Sequence, residues 1–373
     1  MIAFLPSMAA LSGVRVMDFS RLLPGAFATL MLAELGADVI KVEDPGRGDP
    51  MRQLPPFIGG RGVYDLLLNR GKRSLALDLR DASSQPVLDA LLANTDVVVE
   101  SFRPATAQRL GVSGAQLRAR HPHLVHVALT GYGQTGPYAD RPGHDLNYAA
   151  VSGLLAADRL TTATLPKMFI ADVGGGAMSA VIAVLAALFA RERTGAGAAL
   201  DISMHDAALY WVMLPGSRDL VDDGESAVGE LPTRGDHACY NVYDTSDGHQ
   251  IALGALEPKF WATFCDAVGR PDLRPRQHTN LADQAELIRD VRRVFLTRTQ
   301  AAWLAFFEGR DVCLSPVNSA AAALNDPHVT ARGVVVCADG LRAVRAPFGY
   351  PAVSLSPAPV VGQDTDDILR TLA

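Results

Sequence analysis

The sequence predicts an α/β protein with a mostly parallel sheet, followed by a smaller α+β domain. Three observations carry that expectation. The chain opens as a strand over Val14–Phe19, an apolar helix over Ala26–Leu35 closed by Gly36, and a second strand over Asp38–Glu43. That is a βαβ unit, which feeds a parallel sheet. Short apolar strands then alternate with helical stretches as far as Ile202. Beyond this, RDLVDDGESAVGELPTR is polar, acidic and without strong period, and a hairpin signal, TSDGH, follows it.

The division expected is a large domain over residues 1–215, a linker over 216–234, a small domain over 235–325, and a return path with the C-terminal part of the large domain over 326–373. A chain of 373 residues is long enough for two cores. Hydrophobic residues make up 49% and charged residues 20%, ordinary for a soluble globular protein. The net charge of −6 offers no basic field for nucleic acid, so local arginines must hold any anionic ligand. Four cysteines (Cys239, Cys265, Cys313, Cys337) stand far apart and read as reduced thiols in a cytoplasmic protein, neither a disulfide framework nor a zinc site. The apolar start MIAFLPSMAALSG has no basic region before it, so no signal peptide is expected. The longest apolar run, Ala177–Ala190, is short for a membrane span and ends in charge.

In order, the helix over Ala26–Leu35 is apolar on nearly every side and is expected to be buried. Asn69–Arg80 is a basic turn entering an alternating strand that points Leu75, Leu77 and Leu79 one way. A helix over Gln85–Ala93, a strand over Asp96–Glu100 and a short helix from Pro104 follow. This region places Lys72, Arg73, Arg80, Arg103 and Arg109 near strand ends. Ligands of open α/β sheets sit outside the carboxyl ends of the strands, so the cluster suggests an anionic, nucleotide-like ligand; taken singly, each reads as a solvated loop cation. HPHLVH holds three histidines, but no cysteine or acidic ligand lies nearby, and a zinc site is not expected. A strand over Leu124–Leu129 and another over Ala199–Ile202 complete the pattern, and the helix from Met204 is apolar enough to be buried.

The chemistry concentrates between Gly131 and Met178. GYGQTGP is followed by His144 beside Asp145, and Asp172 precedes three glycines and an apolar helix. Removing a thioester α-hydrogen requires a placed base and help for the enolate oxygen, and inverting that carbon requires an acid/base group on each face. His144 and Asp172 suit those roles if the fold joins them. Each also has a plain reading, His144 as a turn residue and Asp172 as a helix cap. The glycines either admit a ligand to the backbone or allow close helix packing.

At these residues the chain resembles the family III CoA-transferases, the CaiB/BaiF group, which also contains α-methylacyl-CoA racemase. The resemblance runs through LSGVRVMDFSRLLPGAFATLMLAELGADVIKVE, NRGKRSLALDLR, DVVVESFRP, GYGQTGP, GHDLNYAAVSGLL, ADVGGGAM, ALEPKFW and DVCLSP. It implies a large Rossmann-like domain with a parallel sheet built from both chain ends, a smaller inserted domain, and an interlocked homodimer. It implies acyl-CoA as substrate, with no cofactor beyond coenzyme A, no metal, and neither a nucleic acid nor a membrane partner. Asp172 resembles the transferase nucleophile or one racemase acid/base group, with His144 as the other. Transferases commonly carry an aromatic residue where His144 stands, which points to the racemase branch. Glu257 resembles a glutamate that the partner subunit contributes to the racemase site. Leu77, Arg80, Arg103, Arg109, Asp145 (through its amide, toward the thioester oxygen) and Tyr148 fall where the family holds coenzyme A. The chain departs from the pattern at Asp44, where many relatives have an arginine toward the adenine end. It departs again at RGDHACYNVYDT, where methylacyl-CoA racemases have N-M-L-D-G-G.

Overall fold

The computed structural model describes residues 9–157, 168–214, 235–338, 340–349 and 353–372. The expected linker over 216–234 and the polar loop before Lys167 lie outside the described residues. The chain divides into two units, one of Met1–Ser217 with Gly333–Ala373 and one of Arg218–Arg332.

The first unit is built on six parallel strands: β1 (Arg15–Asp18), β2 (Asp38–Glu43), β3 (Lys72–Ala76), β4 (Val97–Glu100), β5 (Val125–Thr130) and β6 (Ala199–Ser203). Their order is β3-β2-β1-β4-β5-β6. Strand order therefore reverses between β1 and β4, the switch point of a doubly wound sheet. Val97, Val98, Val99, Val125 and Val127 are buried on both faces, as central parallel strands require. Helix α1 (Leu22–Glu34) crosses from β1 to β2 and buries Ala26, Ala28, Leu30, Met31 and Leu32, so its all-round apolar surface is core.

Among the described residues the sheet does not draw on both chain ends, contrary to the expectation: each of its six strands lies between Arg15 and Ser203. The C-terminal segment instead supplies the hairpin Val335–Ala338 with Leu341–Val344 and the helix Thr365–Arg370. Asp364 Oδ2 accepts the Ser74 N–H (2.8 Å), and Thr365 Oγ1 accepts the Ala76 N–H (3.0 Å). Edge strand β3 is thus satisfied by side chains. Pro357 and Pro359, which precede this helix, lack the N–H a further strand would need.

Two other apolar helices differ from expectation. Ile170–Thr194 runs as one 25-residue helical stretch, longer than the apolar run in the sequence; an 18-residue window of it has a mean hydropathy of 2.1, by length and composition enough for a membrane span. Its second part, α2 (Met178–Thr194), packs Ala180, Val181, Val184 and Leu188 into the core and leaves Ile182 and Phe189 exposed. The helix Met204–Val212 buries only Met204 and Ala208; Tyr210 is 71% and Trp211 48% exposed. Apolar composition hid a two-faced helix.

The second unit pairs Tyr240–Asp244, Gln250–Gly254 and Leu314–Pro316 in an antiparallel sheet. Gly248, with φ of 76°, makes the TSDGH turn. Trp261, Phe264, Phe295, Trp303 and Phe307 form its stacked aromatic core.

Candidate active site

Three segments build the site in the first unit. The loop after β5 turns at Gly131 and Gly143, where any Cβ would lie 2.4 Å and 2.6 Å from the Tyr148 ring. Tyr148 explains both glycines: its hydroxyl donates to the Gly143 carbonyl (2.5 Å), and its ring meets Tyr132 edge-on at 5.1 Å. Burial raises the pKa of this phenol well above its ordinary value. The loop, pinned in this way, delivers His144 in extended conformation to the N-cap of the helix Asp145–Val151, where its N–H donates to Asn147 Oδ1 (3.1 Å). The His144 side chain is exposed.

Asp172 is the third residue of a π-helix, Ile170–Ala177, which runs directly into α2. Such wide turns are rare and concentrate at functional sites. The Asp172 N–H donates to Asp145 Oδ1 (2.8 Å), so the fold joins the G-H-D turn to the D-V-G-G-G segment. Asp172 Oδ1 is buried and has no hydrogen-bond partner among the described residues. The residue at the cap position is Phe169, so the helix-cap reading of Asp172 is set aside. Burial, and then the Asp145 charge, raise the Asp172 carboxyl to about 7. A buried carboxyl with a free oxygen, half protonated at neutral pH, can take and return a proton.

The glycines after Asp172 serve packing. A Cβ on Gly176 would meet Met204 Cγ at 2.6 Å, and one on Gly175 would meet Ala207 Cβ at 3.1 Å. Gly174 has the looser surroundings, with Trp211 3.6 Å away.

A separate cleft of 260 Å³ opens at the carboxyl ends of β1 to β4 and takes in Arg21, Asp44, Leu77, Arg80, Phe102 and Arg109. Of the sequence candidates for coenzyme A, Leu77, Arg80 and Arg109 therefore line it, whereas Tyr148 and Asp145 belong to the Asp172 site. Arg103 is exposed at the N-cap of the short helix Pro104–Arg109. Two of the five predicted cations drop out. Lys72 is buried at the amino end of β3, bonded to Asp18 Oδ2 (3.2 Å), Thr29 Oγ1 (2.7 Å) and Asn69 Oδ1 (3.0 Å). Arg73 pairs with Asp38 (2.5 Å). Both residues begin a strand, and their charges are taken up by carboxylates of neighbouring strands, Asp18 and Asp38.

Sequence reasoning missed Asp145 as the carboxylate that holds Asp172, and Arg21 as a cleft cation. It also missed Glu100, buried at the end of β4, whose carboxyl burial raises to about 8. The spacing GHD gives the only signal for the first; the other two show none. In HPHLVH, His126 Nε2 meets the Val112 carbonyl (3.0 Å) and His123 Nε2 the Thr95 carbonyl (3.2 Å). Glu257, in the second unit, is exposed at the N-cap of the helix Pro258–Ala267.

The model of CoA-transferase family III matches residues 11–365. The chain belongs to this family. It is 31% identical over 370 residues to human alpha-methylacyl-CoA racemase, covering 97% of this chain and 93% of that one. It is 30% identical over 380 residues to mouse succinyl-CoA:glutarate CoA-transferase, covering 98% and 86%. The crystal structure of a CaiB/BaiF family protein from Brucella suis superposes with a TM-score of 0.84 at 28% identity, covering 97% of this chain and 99% of that one. This is an enzyme of CoA thioesters, and its relatives include both racemases and CoA-transferases at similar identity.

Proposed function

We propose that the chain racemises 2-methylacyl-CoA thioesters by proton transfer between Asp172 and His144. One observation carries this reading: the Asp172 carboxyl, with a free buried oxygen, is raised to about 7, where protonated and ionised forms coexist. An acid/base group needs both forms. His144, at the N-cap of the helix whose Asp145 carboxylate accepts the Asp172 N–H, offers the second proton-transfer group that a nucleophile alone would not require.

In this reading the ionised Asp172 takes the α-hydrogen, and the C–H electron pair moves into the thioester as an enolate. His144, protonated, returns a proton to the opposite face; in reverse the two exchange roles. The Asp145 amide, first of its helix and without an intrahelical partner, would donate to the enolate oxygen. Leu77, Arg80, Arg103 and Arg109 would hold coenzyme A, and no cofactor or metal enters the chemistry. We place Glu257 in the site as a further acid, contributed by the partner in an interlocked homodimer. Dimerisation would also cover the exposed Ile182, Phe189, Tyr210, Trp211 and Leu214. The free thiols suit a reducing cytoplasm.

The test incubates purified protein with a 2-methylacyl-CoA in D2O and follows deuterium at Cα by NMR, with free acids present in a parallel sample. Exchange with inversion and no new thioester supports the proposal. New thioesters without exchange refute it and make Asp172 a nucleophile. In the first case His144→Ala lowers exchange by about 10²- to 10⁴-fold, the usual contribution of one acid/base group.

A further inference from the structure

The cleft at the carboxyl ends of β1 to β4 lies at the switch point of the sheet, where nucleotide ligands of such folds sit. In this geometry the residue that follows the second strand meets the ribose. An acid there accepts ribose hydroxyls, whereas a free arginine nearby is what accommodates a ribose phosphate. The residue after β2 is Asp44. Its Oδ1 accepts the N–H groups of Gly46 (2.9 Å) and Arg47 (3.1 Å), which holds the carboxylate in a tight turn. Its Oδ2 pairs with Arg80 Nη2 (2.8 Å).

Arg80 is not a free cation. Asp78 takes its Nε through Oδ1 (2.8 Å) and its Nη2 through Oδ2 (2.9 Å), so only Nη1 remains for a ligand. Two carboxylates around one guanidinium leave this part of the rim net negative. Arg47 shares the Asp44 turn but does not line the cleft. By contrast, Arg109, across the cleft after β4, has no ion-pair partner among the described residues, and Arg21 only overhangs the Phe102 ring (5.8 Å). The cleft is therefore polarised: cations for a diphosphate on the β1/β4 side, carboxylates for a sugar on the β2/β3 side.

On the reading that coenzyme A binds here, we propose that Asp44 makes this chain indifferent to the 3′-phosphate, so that it accepts 3′-dephospho-CoA thioesters as readily as CoA thioesters. The carboxylate accepts a ribose hydroxyl and opposes a phosphate by charge, while Arg80, occupied by Asp44 and Asp78, cannot repay the difference. Removing a unit charge at about 5 Å changes affinity for an anion by about fourfold in bulk water and by more than about a hundredfold at the effective dielectric of a protein surface; about tenfold lies between the two for this exposed rim.

Isothermal titration of the full-length protein with CoA and with 3′-dephospho-CoA tests this. The wild type binds both with dissociation constants within about threefold. Asp44→Asn, which keeps the turn acceptor and removes the charge, tightens CoA about tenfold relative to 3′-dephospho-CoA. Adding Arg80→Ala to that variant returns the ratio to near one, and matched circular dichroism shows that all three proteins are folded. A wild-type preference for CoA above tenfold, or an unchanged ratio in Asp44→Asn, overturns the inference and leaves the thioester reading standing. Failure of the wild type to bind either ligand overturns the thioester reading itself.

Discussion

Asp172→Asn should stabilise the protein in proportion to pH, and the size follows from where the carboxyl sits. In the native state its pKa is about 7, against an ordinary value of 3.8. Below the unfolded value both states hold the proton and burial costs nothing. Between the two values the native state keeps a proton that the unfolded chain has lost. Stability therefore falls as pH rises, by about 1.4 kcal/mol per pH unit, and levels off above the native value. The whole span amounts to about 4 kcal/mol as an upper figure, and to about 2–3 kcal/mol between pH 5 and pH 8. Asparagine has nearly the same shape and no charge at either pH, so the variant escapes the penalty. Urea midpoints of both proteins at pH 5 and pH 8, converted with a shared m value, give the difference directly. The advantage of the variant should be small at pH 5 and grow toward pH 8. If it is the same at both, the native carboxyl is not raised and the acid/base reading loses its support.

Three further outcomes are expected. Asp145→Asn keeps the acceptor for the Asp172 N–H but removes the second cause of the raised carboxyl; the acidic limb of kcat/KM for exchange should move down by about one pH unit, measured by deuterium uptake from pH 4 to 9. Gly176→Ala drives a methyl group into Met204 and should cost about 1–3 kcal/mol in the urea midpoint, whereas Gly174→Ala, with looser surroundings, should cost less. Lys72→Met leaves Asp18 buried with only the more distant Lys41 (3.9 Å) and should destabilise by about 3–5 kcal/mol, read from the same unfolding curves.

The alternation of strands and helices, the βαβ opening and the hairpin signal are properties of short segments, so the sequence by itself determined the α/β class, the elements and the two-core composition. It also marked His144, Asp172, Arg80 and Arg109, because turn chemistry and charge at strand ends are local. What depends on distant partners was decided only in three dimensions. That Lys72 is structural while Arg109 lines the cleft follows from Asp18, 54 positions from Lys72, and from the place of Arg109 at the end of the short helix after β4. That Asp172 titrates near neutrality follows from burial and from Asp145, 27 positions away. Apolar composition could not tell buried helix faces from open ones, so Tyr210 and Trp211 were misplaced inside. Nor could a run of glycines reveal that Met204 and Ala207 press against it. Local pattern encodes conformation; charge state and packing belong to the neighbours that folding brings together.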